Sequence, residues 1–402
     1  MRRRPAALLV SLVLSAAPLG AQSPSRPAGW DDFIRLFDTS AVRDSIVGAS
    51  IVVVRGGRVV AHHEYGFADR ARGQRVDERT IFHYGSITKT LTAIAIMQLR
   101  DRGRLTLDDR VVQYIPELRA IHDPYGSIDS VTIRMLLSHS AGFQNPTWPY
   151  TEGKSWEPFE PTTWNQLVAM MPYQELQFKP GSRYGYSNPG FIYLGRIIEQ
   201  LSGDPWETYI QKNLLSPLEL RHSYFGTTPY YLAADRSHNY TLLRDSTGRE
   251  VVRDNGSDFD PGVTIPNGGW NAPLGDLMTY LAFLTDTSRA DTERRRRYDV
   301  VLTRSSLHEM WRPFHAVAPA TAERSDSIGL SFFAIRRGRT TFIGHTGSQA
   351  GFISFLYLNP ANGAAVVAAF NTENAIPRSA ASSTGAASAF DIIRDAALGL
   401  IQ

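Results

Sequence analysis

Residues 48–66 read GASIVVVRGGRVVAHHEYG. The two apolar runs meet at Gly56-Gly57, and a Gly-Gly pair between such runs marks a tight hairpin, because glycine takes positive φ without steric cost. The stretch predicts two paired strands near the start of the chain. Comparable segments return only towards its end: IGLSFFAIRR, TTFIGH, GFISFLYLN and AAVVAAFN, separated by the turn-forming RRGR, TGSQ and NPANG. Helical patterns frame these strands. Trp30-Asp31-Asp32 opens a short amphipathic helix with Phe33, Leu36 and Phe37 on one side, and AFDIIRDAALGLI closes the chain. Residues 86 to about 102 form a nearly all-apolar helix capped by Gly103. VTIRMLLSH, FIYLGRIIEQL and LGDLMTYLAFL are helical segments in a middle region rich in Pro, Gly and Trp loops. The expectation is an α/β fold: one antiparallel sheet formed by N- and C-terminal strands and flanked by helices, with a mostly helical inserted region. The sheet part covers about 30–103 and 326–402, and the helical part about 104–325.

The chain has 402 residues, 43% of them hydrophobic and 20% charged, enough for a sizeable core. A formal net charge of +3 gives no nucleic-acid footprint, and the run ERRRR at 293–297 reads as a solvated loop. The opening MRRRPAALLVSLVLSAAPLGAQ has a basic start, a short apolar core and small residues near Ala21. It reads as a secretory signal peptide, 1–21, followed by a linker, 22–29, and implies a secreted or periplasmic protein. No other stretch is long enough to span a bilayer. The chain has no cysteine, which excludes disulfides and thiol catalysis.

The chemistry starts at YGSITKT, residues 84–90. Only four lysines occur, Lys89, Lys154, Lys179 and Lys212, and one of them lies a helical turn from Ser86, on the same face. Serine is a weak nucleophile until a base takes its proton, and a buried lysine with a lowered pKa can be that base. The start of a helix also offers unpaired N–H groups to a developing oxyanion. Two further stretches fit. In RYGYSNPGF, Tyr186 can share proton transfer beside a cation, and the Asn188 amide can hold a substrate carbonyl and the lysine. In IGHTGSQAGF, His345-Thr346-Gly347-Ser348 ends one strand, where a glycine lets backbone approach a ligand and a strand edge can pair with a peptide-like substrate.

Taken in order, Ser-x-x-Lys, Tyr-x-Asn and His-Thr-Gly resemble the three boxes of the serine β-lactamase and penicillin-binding-protein superfamily. The nearest resemblance is to the class C β-lactamase group, with its DD-peptidases, D-aminopeptidases and family VIII-type esterases. It covers about residues 30–400, and VTIRMLLSHSAGF, YSNPGFIYLGRIIE and GFISFLYLNP are also typical of that group. The resemblance implies a β-lactamase/transpeptidase-like fold and one serine hydrolase domain at 30–402, working through an acyl-enzyme without cofactor or metal. It makes Ser86 the nucleophile, Lys89 its general base and Tyr186 the proton relay. Asn188, His345, Thr346, Gly347 and Ser348 would bind substrate, with the Ser86 and Ser348 N–H groups forming the oxyanion hole. The implied partner is a small-molecule or peptide substrate: a D-amino-acid peptide or a small ester. Rival readings are a class C-like β-lactamase and a non-catalytic penicilloyl-binding sensor or scaffold.

His345 departs from the group, which usually carries lysine there. An unperturbed histidine, near ~6.5, is mostly neutral at pH 7, so attraction for a β-lactam carboxylate is weakened. Arg378 could supply a carboxylate contact in its place but reads rather as a surface residue, and Trp148, Tyr150, Trp156, Phe159 and Trp164 read as a packing cluster rather than a substrate-facing lip. His62-His63 alternate across a strand without further ligands, so a metal site is not expected there. HExxH, Gly-x-Ser-x-Gly and P-loop motifs are missing from the sequence.

Overall fold

The computed structural model describes residues 26–143, 161–285, 292–376 and 387–402. The leader, Trp148, Tyr150, Trp156, Phe159 and Arg378 lie outside the described residues. The predicted hairpin is present: β1 (Gly48–Arg55) and β2 (Arg58–Asp69) turn at Gly56 and Gly57, with φ of 58° and 72°. Short β3 (Gln74–Arg75) follows, and the remaining strands of the same sheet come late. They are β4 (His315–Ala316), β5 (Arg324–Ile328), β6 (Phe333–Arg337), β7 (Thr340–Gln349), β8 (Phe352–Asn359) and β9 (Ala364–Phe370). The nine strands lie in the order β3-β2-β1-β9-β8-β7-β6-β5-β4, and the pairings are antiparallel. First and last thirds of the chain join where β1 pairs with β9, Ala49 opposite Phe370 through Arg55 opposite Ala364.

Both faces of the central strands are buried, which is why β1 and β9 read as unbroken apolar runs. Alternation sorts their side chains between two cores. Val52 and Val54 of β1, with Ala365, Val367 and Ala369 of β9, face the helical region. Ala49, Ile51 and Val53, with Val366, Ala368 and Phe370, face the two terminal helices. Those helices are α1 (Trp30–Arg43) and, at the chain's end, Ala389–Leu400, packed on each other and on the sheet through Trp30, Phe33, Phe37, Ile393 and Leu398. Leu36 departs from expectation, being 40% exposed on the far side of α1.

On the other face lie α2 (Thr88–Asp101), α3 (Asn188–Ser202) and α4 (Leu274–Thr285). Twelve consecutive residues of α2, Thr88 to Leu99, are buried, so it is a central helix rather than an amphipathic one. Gly103, at φ 67°, ends it as expected. The ERRRR run is corrected: it lies within a helix, Thr292–Val301, and not in a loop. Arginine and glutamate are good helix formers, and Tyr298 and Val301 bury the other side of the helix. The middle region also carries two small three-stranded sheets. One pairs Ile81–His83, Trp270–Pro273 and Tyr224–Phe225, and the other pairs Thr372–Asn374, Tyr240–Arg244 and Glu250–Asp254.

Candidate active site

Ser86 sits in a single 3-10 turn, Gly85–Ile87, that leads into α2. Backbone-on-backbone contact fixes this turn. Gly85 has φ 50°, and a Cβ there would lie 2.9 Å from the Ser348 nitrogen. A Cβ on Gly347 would lie 2.0 Å from the Tyr84 carbonyl oxygen. Both glycines are therefore required for β7 to lie against the Ser86 turn. Side-chain bonds hold the arrangement: Ser354 Oγ donates to Tyr84 O at 3.0 Å, and Thr88 Oγ1 donates to Gly85 O at 2.6 Å. The Thr88 hydroxyl also accepts from Trp270 N at 3.0 Å.

One turn into α2, Lys89 is 0% exposed. Its Nζ is hydrogen-bonded to Ser86 Oγ at 2.9 Å and donates to the Asn267 carbonyl at 2.8 Å. That carbonyl belongs to the short helix Ile265–Gly268, which Thr92 also grips by donating to Pro266 O at 2.6 Å. Rings complete the enclosure, with Nζ 5.0 Å from the Tyr186 centroid and 5.7 Å from that of Phe191. Burial alone holds the Lys89 ammonium well below its ordinary value of 10.5, with no carboxylate acting against it. The amine form can direct one N–H at Asn267 O and its lone pair at the Ser86 hydroxyl.

Tyr186 precedes α3, whose start is capped by Ser187 Oγ accepting from Gly190 N at 3.2 Å. Tyr186 lines the same cleft as Ser86, and desolvation raises its pKa. His139 lies flat against the ring, centroids 4.4 Å apart at 28°, and its Nδ1 accepts from Ser187 N at 3.1 Å. The latter bond puts the imidazole proton on Nε2. Burial pushes His139 down, and its backbone sits at φ 51°. Asn188 is the first residue of α3.

Opposite runs β7. Its pairing with β6 ends at Gly344 opposite Phe333, whereas its pairing with β8 continues to Gln349 opposite Phe352. Residues 345–349 thus have a strand on one side only, beside a cleft of about 400 Å³. Ser86, Tyr186, Asn188, His345, Thr346, Gly347 and Ser348 all line this cleft, with Tyr184, Phe333, Ile353 and Phe390 as apolar and aromatic walls. Lys89 lies beneath it. The structure thus brings together every residue singled out in the three boxes. A larger cavity of about 470 Å³, lined in part by Val59, His62, His222 and Asp276, holds no serine–lysine pair.

His345 differs from the expectation of an ordinary histidine. It is 1% exposed, with Nδ1 against the Thr346 carbonyl and its ring 5.1 Å from Phe333. Desolvation lowers it to about 3, so it stays neutral through the pH range in which a free histidine titrates. His62 and His63 reach separate carboxylates, Glu64 at 2.9 Å and Asp38 at 2.7 Å. Trp164 packs on Tyr193, centroids 6.4 Å apart.

Three contributors escaped the sequence reading. The Asn267 carbonyl is a backbone group 178 positions from Lys89 and carries no motif. His139 was visible within LLSHSAGF, although its stacking on Tyr186 was not. Glu373, which accepts from Ser348 Oγ at 3.1 Å, follows the strand AAVVAAFN and gave no signal.

Comparisons with known proteins bear on the family and the fold. A family model described as Beta-lactamase matches residues 33–389. The protein flp of Staphylococcus aureus (strain COL) is 26% identical over 331 residues, 82% of this chain and 60% of flp. The chain thus spans about three fifths of the length of that relative. Among solved structures, the octameric penicillin-binding protein homologue from Pyrococcus abyssi superposes with a TM-score of 0.71 at 24% identity, covering 92% of this chain and 77% of that one. A D-stereospecific amidohydrolase from Streptomyces sp. gives 0.65 at 25% identity, covering 85% and 94%. With the three boxes joined in one cleft and the family model covering most of the chain, this protein belongs to the beta-lactamase family.

Proposed function

We propose that the protein is an exported serine hydrolase that acts through an acyl-enzyme on amide or ester bonds, with D-amino-acid peptides or small esters as substrates. One observation carries the reading: Lys89 Nζ lies 2.9 Å from Ser86 Oγ, fully buried, with desolvation keeping it in its basic form. Lys89 takes the Ser86 proton as Oγ attacks the carbonyl carbon. The N–H groups of Ser86 and Ser348 receive the oxyanion. Tyr186, in the cleft beside Ser86 and Lys89, passes the proton to the departing amine or alcohol, and the acyl group stays on Oγ. Water then enters, loses its proton through the same tyrosine–lysine pair, and attacks the ester; Ser86 recovers its proton and the acid leaves. Asn188 is read as holding the substrate amide. The open edge of β7 offers strand-like pairing to a peptide.

A neutral His345 removes the fixed cation that would attract a β-lactam carboxylate, and the amidohydrolase similarity points the same way. Export rests on the composition of residues 1–21, and none of the helices among the described residues is long and apolar enough to cross a membrane. The test is kcat/KM for a D-amino-acid amide, its L-enantiomer, a nitrophenyl ester and a penicillin. The reading expects turnover of the D-amide or the ester, with penicillin much slower. Penicillin as the best substrate would favour the β-lactamase, and penicilloyl labelling with no turnover of any substrate would favour the sensor.

A further inference from the structure

Beyond the lysine and the tyrosine, the cleft poses a question of charge. None of the described residues lining it carries a formal charge, since His345 is neutral. Charged groups do reach the lining from outside: Arg183 donates to the Tyr184 carbonyl at 3.3 Å, Arg394 lies 5.7 Å from the Phe390 centroid, and on the strand side the anion Glu373 accepts from Ser348 Oγ through its Oε1 at 3.1 Å. Glu373 lies in the short strand Thr372–Asn374, whose register opposite Thr241 is fixed by parallel pairing with Tyr240–Arg244. Its side chain is half-buried, and it also lines a hollow of about 300 Å³ with Arg253, Asp258, Asn239, Thr241 and Asn255. Arg253 spends its Nε on Asn255 Oδ1 at 3.0 Å, and Glu373 makes no ion pair within 4.0 Å among the described residues. A carboxylate bonded to the rim of a cleft whose described lining carries no charge can pair with a cation supplied by the ligand.

We propose that Glu373, acting with the Ser348 hydroxyl, is a specificity-determining residue that selects acyl donors carrying a free protonated amine and disfavours those carrying a carboxylate. The assignment rests on the serine-hydrolase reading above and narrows it to aminopeptidase- or amidase-type substrates. The geometry is short-range. In an α-amino acyl donor the nitrogen is two bonds from the carbonyl carbon. A carbonyl oxygen held at the Ser348 N–H therefore brings the amine within reach of the same residue's hydroxyl and of the carboxylate it bonds. A carboxylate in the same place meets the like charge of Glu373.

The experiment uses the full chain and three donors that share one scissile bond: D-alanine p-nitroanilide, its N-acetyl derivative and its N-succinyl derivative. These place a cation, a neutral group and an anion at one position. Wild type is expected to rank them in that order by kcat/KM. Glu373→Gln, which keeps an acceptor for Ser348 Oγ, should lower the amine-to-acetyl ratio about fivefold and raise the succinyl-to-acetyl ratio, an effect of about 1 kcal/mol for one partly exposed pair. Glu373→Lys should invert the ranking, and added salt should compress the wild-type ratios. Ratios that stay fixed in both variants would overturn the proposal, because a merely structural glutamate would scale all three rates together. Failure of wild type to prefer the free amine, with Ser86-dependent hydrolysis intact, would overturn the amine selection alone. Hydrolysis that persists in Ser86→Ala would instead strike the underlying reading.

Discussion

Replacing Lys89 by methionine should stabilise the fold at neutral pH while stopping acylation, and the size of the gain should depend on pH. A lysine that is neutral in the folded protein but ordinary in the unfolded chain must give up a proton on folding. The unfolded state then binds one more proton than the native state, so stability rises with pH by about 1.4 kcal/mol per unit up to the ordinary value of 10.5. Keeping the amine neutral below that value therefore costs stability. Methionine has similar bulk and no charge, but it leaves the Asn267 carbonyl without the bond at 2.8 Å, a loss of about 1–3 kcal/mol. The variant should thus be the more stable protein at pH 7. That advantage should shrink by about 1.4 kcal/mol for each unit of rising pH. Urea unfolding of both proteins at pH 7, 8 and 9 measures the difference, and stopped-flow acylation of the same samples measures the function. A stability difference that does not change with pH would mean that Lys89 is charged in the fold. The general-base role would then lose its physical basis.

Three further outcomes follow from the site's construction. Gly347→Ala puts a methyl group 2.0 Å from the Tyr84 oxygen and so must push β7 off the Ser86 turn, with an expected loss of about 10²-fold in kcat for ester hydrolysis; a near-wild-type rate would show that the close approach is not needed. Buried His83, lowered to about 4, His345, lowered to about 3, and His139, also lowered, are neutral in the fold while the unfolded chain protonates them below ~6.5. Stability is therefore intact above that pH and falls on acidification, by about 1.4 kcal/mol per unit for each histidine. Urea midpoints from pH 7 to pH 4.5 should show this, and His83→Asn should flatten the slope; equal stability at pH 5 and 7 would contradict it. His345→Lys would place a second amine at a 1% exposed position beside Lys89, so it should cost stability and fail to speed penicillin acylation at pH 7, which a kcat/KM comparison with a neutral ester checks.

Features set by local chemistry were legible from residues alone. Gly56-Gly57 named its own turn, the Val/Ile runs named the strands, and Ser86-x-x-Lys89 placed two side chains on one helical face. Features set by distant partners were not. The burial of His345 was not legible, because its depth depends on β8, Phe333 and the Ser86 turn, none of them adjacent in sequence. The carbonyl that anchors Lys89 belongs to a backbone that any residue could have supplied. The ERRRR run reads as a loop because its charge dominates, whereas the buried Tyr298 and Val301 that make it a helix lie just after it. Contact between Ser348 and Glu373 spans 25 positions and two different sheets, beyond the reach of any spacing rule.

The most direct measurement is the mass of the intact protein after brief exposure to a slowly released acyl donor, such as a fluorescent penicillin or a hindered nitrophenyl ester, followed by peptide mapping. A single acyl adduct on Ser86, lost with time as product appears and missing in Ser86→Ala, is the result expected. An adduct on another residue, or full hydrolysis by Ser86→Ala, would contradict the mechanism built on the 2.9 Å contact between Ser86 and Lys89.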